Sequence, residues 1–182
     1  GVTDLFVRPA LPDDLPAVAL VRALTWQAAY AGMVDDAELR TLTDPDVVAA
    51  WAARAATKTD TTYTVADLAG EVVGFAAYGA ERSDDPRPWR GELYALYVLP
   101  DHWRSGAGSA LMHAALDALA ENGFDHVTLL VLAGNERAIA FYRRHGFHET
   151  GEVLRDHRGL DDLRMARLLG PRGDLVRPAE PS

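Results

Sequence analysis

The chain has 182 residues, 48% hydrophobic and 25% charged, which fits one globular domain and excludes disordered, collagenous and disulfide-scaffold classes. A formal net charge of -9, with no segregated basic patch, disfavours nucleic acid as a partner and favours a cation such as a protonated amine. With no cysteine, no basic-then-apolar start and no long uncharged apolar run, neither secretion nor membrane insertion is expected, and the cytoplasm is the expected compartment.

Residues 5–8 form an apolar strand candidate ended by Pro9, and the run Leu11, Pro12, Asp13, Asp14 is a helix-start signal. Leu15, Val18, Ala19, Arg22, Trp26 and Ala29 recur at helical spacing, so a first helix is predicted to run to about Tyr30, with Gly32 ending it. Asp44 and Pro45 provide a cap and a first helical residue for a second helix carrying Val47, Val48 and Trp51. The period then becomes strand-like over 61–68 and 72–78, joined at Ala69, Gly70 and Glu71 as a hairpin. Residues 83–88 read as a loop, and 92–99 as an aromatic and branched strand closed by Pro100.

A helix is predicted over 106–122, a short buried strand over 125–132, and a helix over 135–145 with Asn135 as cap and Gly146 as stop. Two closing strands follow at 147–154 and 163–168. The tail 170–182 is rich in Pro and Gly and is expected to fray, leaving 1–169 as a single domain. The order of elements is that of an α/β (α+β) fold: one mixed sheet with helices on both faces.

The chemistry concentrates between Glu92 and Phe147. A strand leads through Asp101, His102, Trp103, Arg104 and Ser105 into Gly106, Ala107, Gly108 and Ser109 at a helix start. Glycines there let N–H groups converge on an anion, to which the helix dipole adds positive charge, and a diphosphate fits such a turn. A dinucleotide fingerprint fails because Leu111 takes the third glycine position; a P-loop lacks Gly-Lys-Ser/Thr; a nucleophile elbow lacks the serine between glycines. His145 and His148 are separated by Gly146 and do not share a helix face, so no metal is expected.

The run from Trp103 to Gly108 resembles the Q/R-x-x-G-x-G/A motif of the GCN5-related N-acetyltransferases (GNAT), with Trp103 in place of Gln or Arg. The run Asn135, Ala138, Phe141, Tyr142, Gly146, Phe147 is similar to that family's N-x-x-A-x-x-F-Y-x-x-x-G-F segment. The resemblance implies the acyl-CoA N-acyltransferase fold: a mixed, largely antiparallel sheet of about seven strands, splayed open so that pantetheine lies between the strands ending at Leu99 and Leu132. It implies acetyl-CoA as cosubstrate, bound by Leu96, Tyr97, Val98, Arg104, Ser105, Gly106, Ala107, Gly108, Ser109, Asn135 and Tyr142, with a main-chain N–H polarising the thioester carbonyl.

Transfer to an amine needs a base, because an amine with a pKa near 10 is mostly protonated at neutral pH. Glu92 stands fourteen residues before Gly106, the spacing of the catalytic glutamate in the histone-acetylating relatives that the chain resembles. A carboxylate in an otherwise apolar strand is costly unless used or paired, and the alternative is an exposed strand-start residue. Tyr142 is the candidate acid for the departing sulfur, or else a core aromatic beside Ile139; Asn135 serves the cofactor, the helix cap or both.

In the family the acceptor site is built from the first two helices, the loop before the Glu92 strand and the last hairpin, which here supply Trp26, Tyr30, Trp89, Tyr94 and His157. Such aromatic walls, with Asp35 and Asp36 nearby, suit a cationic amine. Trp51 reads as core, while Trp26 stays open between core and acceptor wall. The leading expectation is acetyl transfer to a primary amine of a small molecule. The alternatives are a protein N-terminal or lysine acetyltransferase and a non-catalytic acetyl-CoA sensor. Homodimers are common in the family.

Overall fold

In the computed structural model the described residues are 4–169, and the tail predicted to fray lies outside them. Seven strands, β1 (Leu5–Pro9), β2 (Thr62–Leu68), β3 (Glu71–Ala80), β4 (Arg90–Val98), β5 (His126–Leu132), β6 (His148–Arg155) and β7 (Asp161–Leu168), form one sheet in the order β1-β2-β3-β4-β5-β7-β6. The helices are α1 (Leu15–Tyr30), α2 (Asp36–Arg40), α3 (Pro45–Ala56), α4 (Ala107–Glu121) and α5 (Glu136–Arg144). The β1–β2, β5–β7 and β6–β7 pairings are antiparallel and β4–β5 is parallel, so the sheet is mixed.

The described residues fall into two compact units, one made of 4–77 and 95–115, the other of 78–94 and 116–169. In the first, Gly74 and Phe75 point to opposite faces of β3 because side chains alternate along a strand. A Cβ at Gly74 would lie 3.3 Å from the Leu111 side chain of α4 and 2.8 Å from the carbonyl oxygen of Tyr97, so only glycine fits between β4 and α4 there. Phe75 meets Trp51 of α3 with ring centroids 6.4 Å apart, and Trp51 packs on a cluster of Leu15, Ala19, Ala52 and Ala55. Helices therefore cover both faces of this part of the sheet, and Trp51 is core as the sequence implies.

In the second unit the β4–β5 ladder covers three pairs, Arg90↔His126, Gly91↔Val127 and Glu92↔Thr128, and ends there among the described residues. The described pairing of these parallel strands is thus confined to the first residues of β4. A Cβ at Gly91 would lie 2.9 Å from Leu119, so glycine lets the end of α4 lie directly on β4.

Several expectations change in detail. Pro9 is the last residue of β1 rather than its terminator, because a proline at a strand end gives up only one ladder hydrogen bond. Asp44 precedes α3, but its side chain makes no capping hydrogen bond. β3 extends past Tyr78 to Ala80, and β4 begins at Arg90, two residues early. The short α2 is absent from the sequence reading, since five residues carry no readable periodicity.

Candidate active site

The turn between β4 and α4 is built from two left-handed residues. Arg104 has φ 69° and Gly106 has φ 92°. A side chain in that region costs on the order of 1 kcal/mol, so Arg104 is a local strain that the turn retains. A Cβ at Gly106 would meet nothing within 4 Å, so the turn opens onto free space, and glycine is needed there for backbone conformation rather than for room. The Ser105 Oγ accepts from the Ala107 N–H at 3.2 Å and fastens the turn to the first residue of α4. Helix entry at Ala107, one residue later than predicted, directs the positive end of the α4 dipole toward Gly106. A diphosphate fits this charge and this open space.

Trp103 has a structural task that the motif did not reveal. Its indole Nε1–H donates to the Val98 carbonyl at 2.9 Å, tying the turn to the last residue of β4. One residue earlier, the Tyr97 hydroxyl accepts from Trp26 Nε1 of α1 at 3.0 Å, and the Tyr97 ring stands edge-on to Phe75 at 5.6 Å. Trp26 also lies 5.2 Å from Tyr30 and under the Arg22 guanidinium at 4.3 Å. Trp26, Tyr30 and Tyr97 are thus one half-buried aromatic group, which draws together two residues assigned to the acceptor and one assigned to the cofactor.

In the other unit, Glu92 is 7% exposed, so it is not the solvated strand-start residue that the sequence left open. Its Oε1 accepts from the Arg82 N–H at 2.8 Å. Burial pushes the Glu92 carboxyl above its ordinary value and nearby Glu81 adds to the rise, against the pull of the Arg82 N–H and of the Arg164 and Arg82 guanidiniums. Glu81 is itself buried; its carboxylate accepts from Ser83 Oγ at 2.9 Å, contacts Arg90 Nε at 3.1 Å and meets Thr128 Oγ1 at 3.5 Å. Two carboxylates therefore share this end of the sheet. A carboxyl whose proton affinity is raised by burial is a stronger proton acceptor than an exposed one.

Tyr142 on α5 is buried and packs edge-on against Phe141 at 5.6 Å and Phe147 at 5.9 Å. Asn135 caps that helix, its Oδ1 accepting from the Ala138 N–H at 3.2 Å. Among the described residues no group of three or more His, Asp or Glu side chains is arranged to hold a metal, and no helix is long and apolar enough to cross a membrane.

A sequence model of the acetyltransferase (GNAT) family matches residues 21–147, which include the Gly106 turn, Glu92 and Tyr142. The chain belongs to that family. It is 30% identical over 146 residues to the uncharacterized N-acetyltransferase YuaI of Bacillus subtilis (strain 168), covering 80% of this chain and 82% of that one. Over 61 residues it is 50% identical to a mycothiol acetyltransferase of Clavibacter sepedonicus, a match spanning 34% of this chain but only 20% of that relative. In fold it is similar to the PaiA N-acetyltransferase of Thermoplasma acidophilum, solved in complex with coenzyme A, with a TM-score of 0.68 at 19% identity over 90% of this chain and 98% of that one. The protein is thus an acetyl-CoA-dependent GNAT acetyltransferase.

The remaining acceptor candidates of this GNAT chain are dispersed. Trp89 is 47% exposed in the loop before β4, with the Arg87 guanidinium 5.8 Å from its ring. Tyr94 is engaged at both ends: its hydroxyl donates to the Ala80 carbonyl and the Arg82 guanidinium lies 3.5 Å over its ring. His157 is exposed in the β6–β7 turn, which Asp156 organises by accepting from the Arg158 and Leu160 N–H groups. Those bonds hold the Asp156 carboxyl below its ordinary value. Sequence reasoning missed Glu81 and Arg164. Glu81 falls between the predicted strand 72–78 and the predicted loop 83–88, just past the observed end of β3 at Ala80; Arg164 was legible only as the polar residue between Leu163 and Met165, a position that alternation assigns to the opposite face.

Proposed function

We propose that this GNAT protein transfers the acetyl group of acetyl-CoA to a primary amine of a small molecule, with residues 1–169 acting as one catalytic domain. Glu92 serves as the base, and its burial carries the reading: a carboxylate 7% exposed, oriented by a main-chain N–H and with raised proton affinity, is poised to receive the ammonium proton. Bound acetyl-CoA supplies the activated acyl carbon. The Gly106 turn and the first turn of α4 hold its diphosphate, the 96–98 edge of β4 pairs with its pantetheine, and Asn135 borders the same ligand. Tyr142 gives a proton to the sulfur as the C–S bond breaks and the C–N bond forms, and the second proton shed by the new amide nitrogen restores the Tyr142 hydroxyl. Trp26 and Tyr30 provide an aromatic wall for the cationic acceptor.

A small acceptor is supported by the similarity to mycothiol acetyltransferase and by the acidic charge of the chain, which attracts cations. The test is release of free thiol from acetyl-CoA in the presence of polyamines, aminoglycosides, amino acids and peptides. Turnover with a small amine and none with peptides is expected; turnover with peptides alone would move the assignment to protein acetylation.

A further inference from the structure

Neighbouring strands put registered residues on one face of a sheet, as do positions two apart on one strand. Glu92 is registered with Thr128, Thr128 with Ala166, and Leu130 with Arg164, so Glu92 and Arg164 lie on the same face of the second unit, with β5 between their strands. Arg164 is 8% exposed, which is rare for an arginine without a buried task. Its Nε donates to Glu152 Oε1 of β6 at 2.6 Å, whereas its Nη1 is buried with no hydrogen-bond partner among the described atoms. A guanidinium held at one edge and left open at the other is oriented by Glu152 and spends its charge elsewhere.

We propose that Arg164 is a positioning residue for the transfer reaction: its buried guanidinium, fixed by Glu152, sets the ionisation of Glu92. The inference rests on the reading of Glu92 as the base. The charges acting on Glu92 are Glu81 and Arg82, where the chain leaves β3, and Arg164 on β7; register also puts Arg90 of β4 and His126 of β5 on that face, and burial holds the His126 imidazole below its ordinary value. Of these, Glu81 favours the protonated carboxyl, and Arg164 and Arg82 oppose it. Arg82 is exposed and its guanidinium lies over Tyr94, while Arg90 contacts Glu81. That leaves Arg164 as the buried cation free to offset the desolvation of Glu92.

The test follows the Glu92 carboxyl directly, by carbon-13 NMR titration of the full chain, with the resonance identified by its loss in Glu92→Gln. In Arg164→Gln the Glu92 midpoint is expected to move toward alkaline pH by about one pH unit, and the acid limb of kcat/KM with it; Arg164→Lys restores most of both. The exposed Glu152→Gln releases the guanidinium from its competing anion and moves the midpoint the opposite way in a protein that keeps its buried arginine. A Glu92 midpoint unchanged in folded Arg164→Gln, or unchanged in Glu152→Gln should the first variant not fold, overturns the inference. A midpoint that moves while the acid limb stays in place supports the coupling and instead overturns Glu92 as the base.

Discussion

The Arg82 N–H donates to Glu92 Oε1 at 2.8 Å, so the carboxylate is held by the backbone where the chain leaves β3. A main-chain donor cannot be titrated or swing away, and it fixes one oxygen of Glu92 whether the carboxyl is charged or neutral. The Arg82 side chain meanwhile lies 3.5 Å over the Tyr94 ring, which steadies the residue supplying that N–H. Orientation comes from the loop, and proton affinity from burial.

Glu92→Gln keeps the acceptor oxygen for the Arg82 N–H and removes the base. Turnover on any accepted amine is expected to fall by about 10²- to 10⁴-fold, measured as thiol release. Stability moves the other way. A carboxyl raised above its ordinary value of 4.5 contributes stability that is fully present below that value and lost as pH rises through the folded one. The variant should therefore melt higher than the parent at neutral pH, with the difference in Tm shrinking as the pH falls toward 4.5; a constant difference would show that Glu92 is not strained by its burial.

Tyr142→Phe retains the ring that packs on Phe141 and Phe147 and deletes only the hydroxyl. Turnover should drop by one to two orders of magnitude, roughly the lower range of general-acid contributions, with acetyl-CoA affinity nearly unchanged in calorimetry. Unchanged turnover would remove Tyr142 from the chemistry.

Gly106→Ala and Gly74→Ala separate ligand binding from packing. At Gly106, φ 92° strains any side chain although the space is open, so the turn must flatten at a cost of about 1–2 kcal/mol, and coenzyme A affinity should fall about tenfold or more. At Gly74 the added methyl meets the Tyr97 carbonyl oxygen at 2.8 Å, and a loss of about 1–3 kcal/mol in chemical denaturation is expected. Equal losses of affinity in both variants would deny the turn its special part.

Arg8 bridges Asp14, at 2.7 Å and 3.1 Å, and Asp67 at 3.1 Å, joining β1, the start of α1 and β2. The guanidinium holds the Asp14 carboxyl below its ordinary value of 3.8, helped by the Leu11 N–H. A depressed carboxyl contributes stability that is present above 3.8 and lost as pH falls through the folded value. Arg8→Met should therefore cost about 1–2 kcal/mol at neutral pH and progressively less in acid, read from urea unfolding at several pH values.

The order of the strands and of the four longer helices, the Gly106 turn, the α5 cap at Asn135 and Glu92 as a candidate base were legible in the sequence. Each depends on local rules: periodicity, helix-end chemistry, and the cost of a carboxylate among apolar neighbours. The burial of Glu92, its Arg82 N–H, the companion Glu81, the Trp103 bond to Val98 and the pairing of Trp26 with Tyr97 were not. They join residues separated by up to 71 positions, and only strand register and helix packing set which of them meet. Sequence specified which groups are candidates for the chemistry, because side-chain type is local; the tertiary structure decided how strongly Glu92 holds its proton, because desolvation and neighbouring charge belong to the assembled sheet.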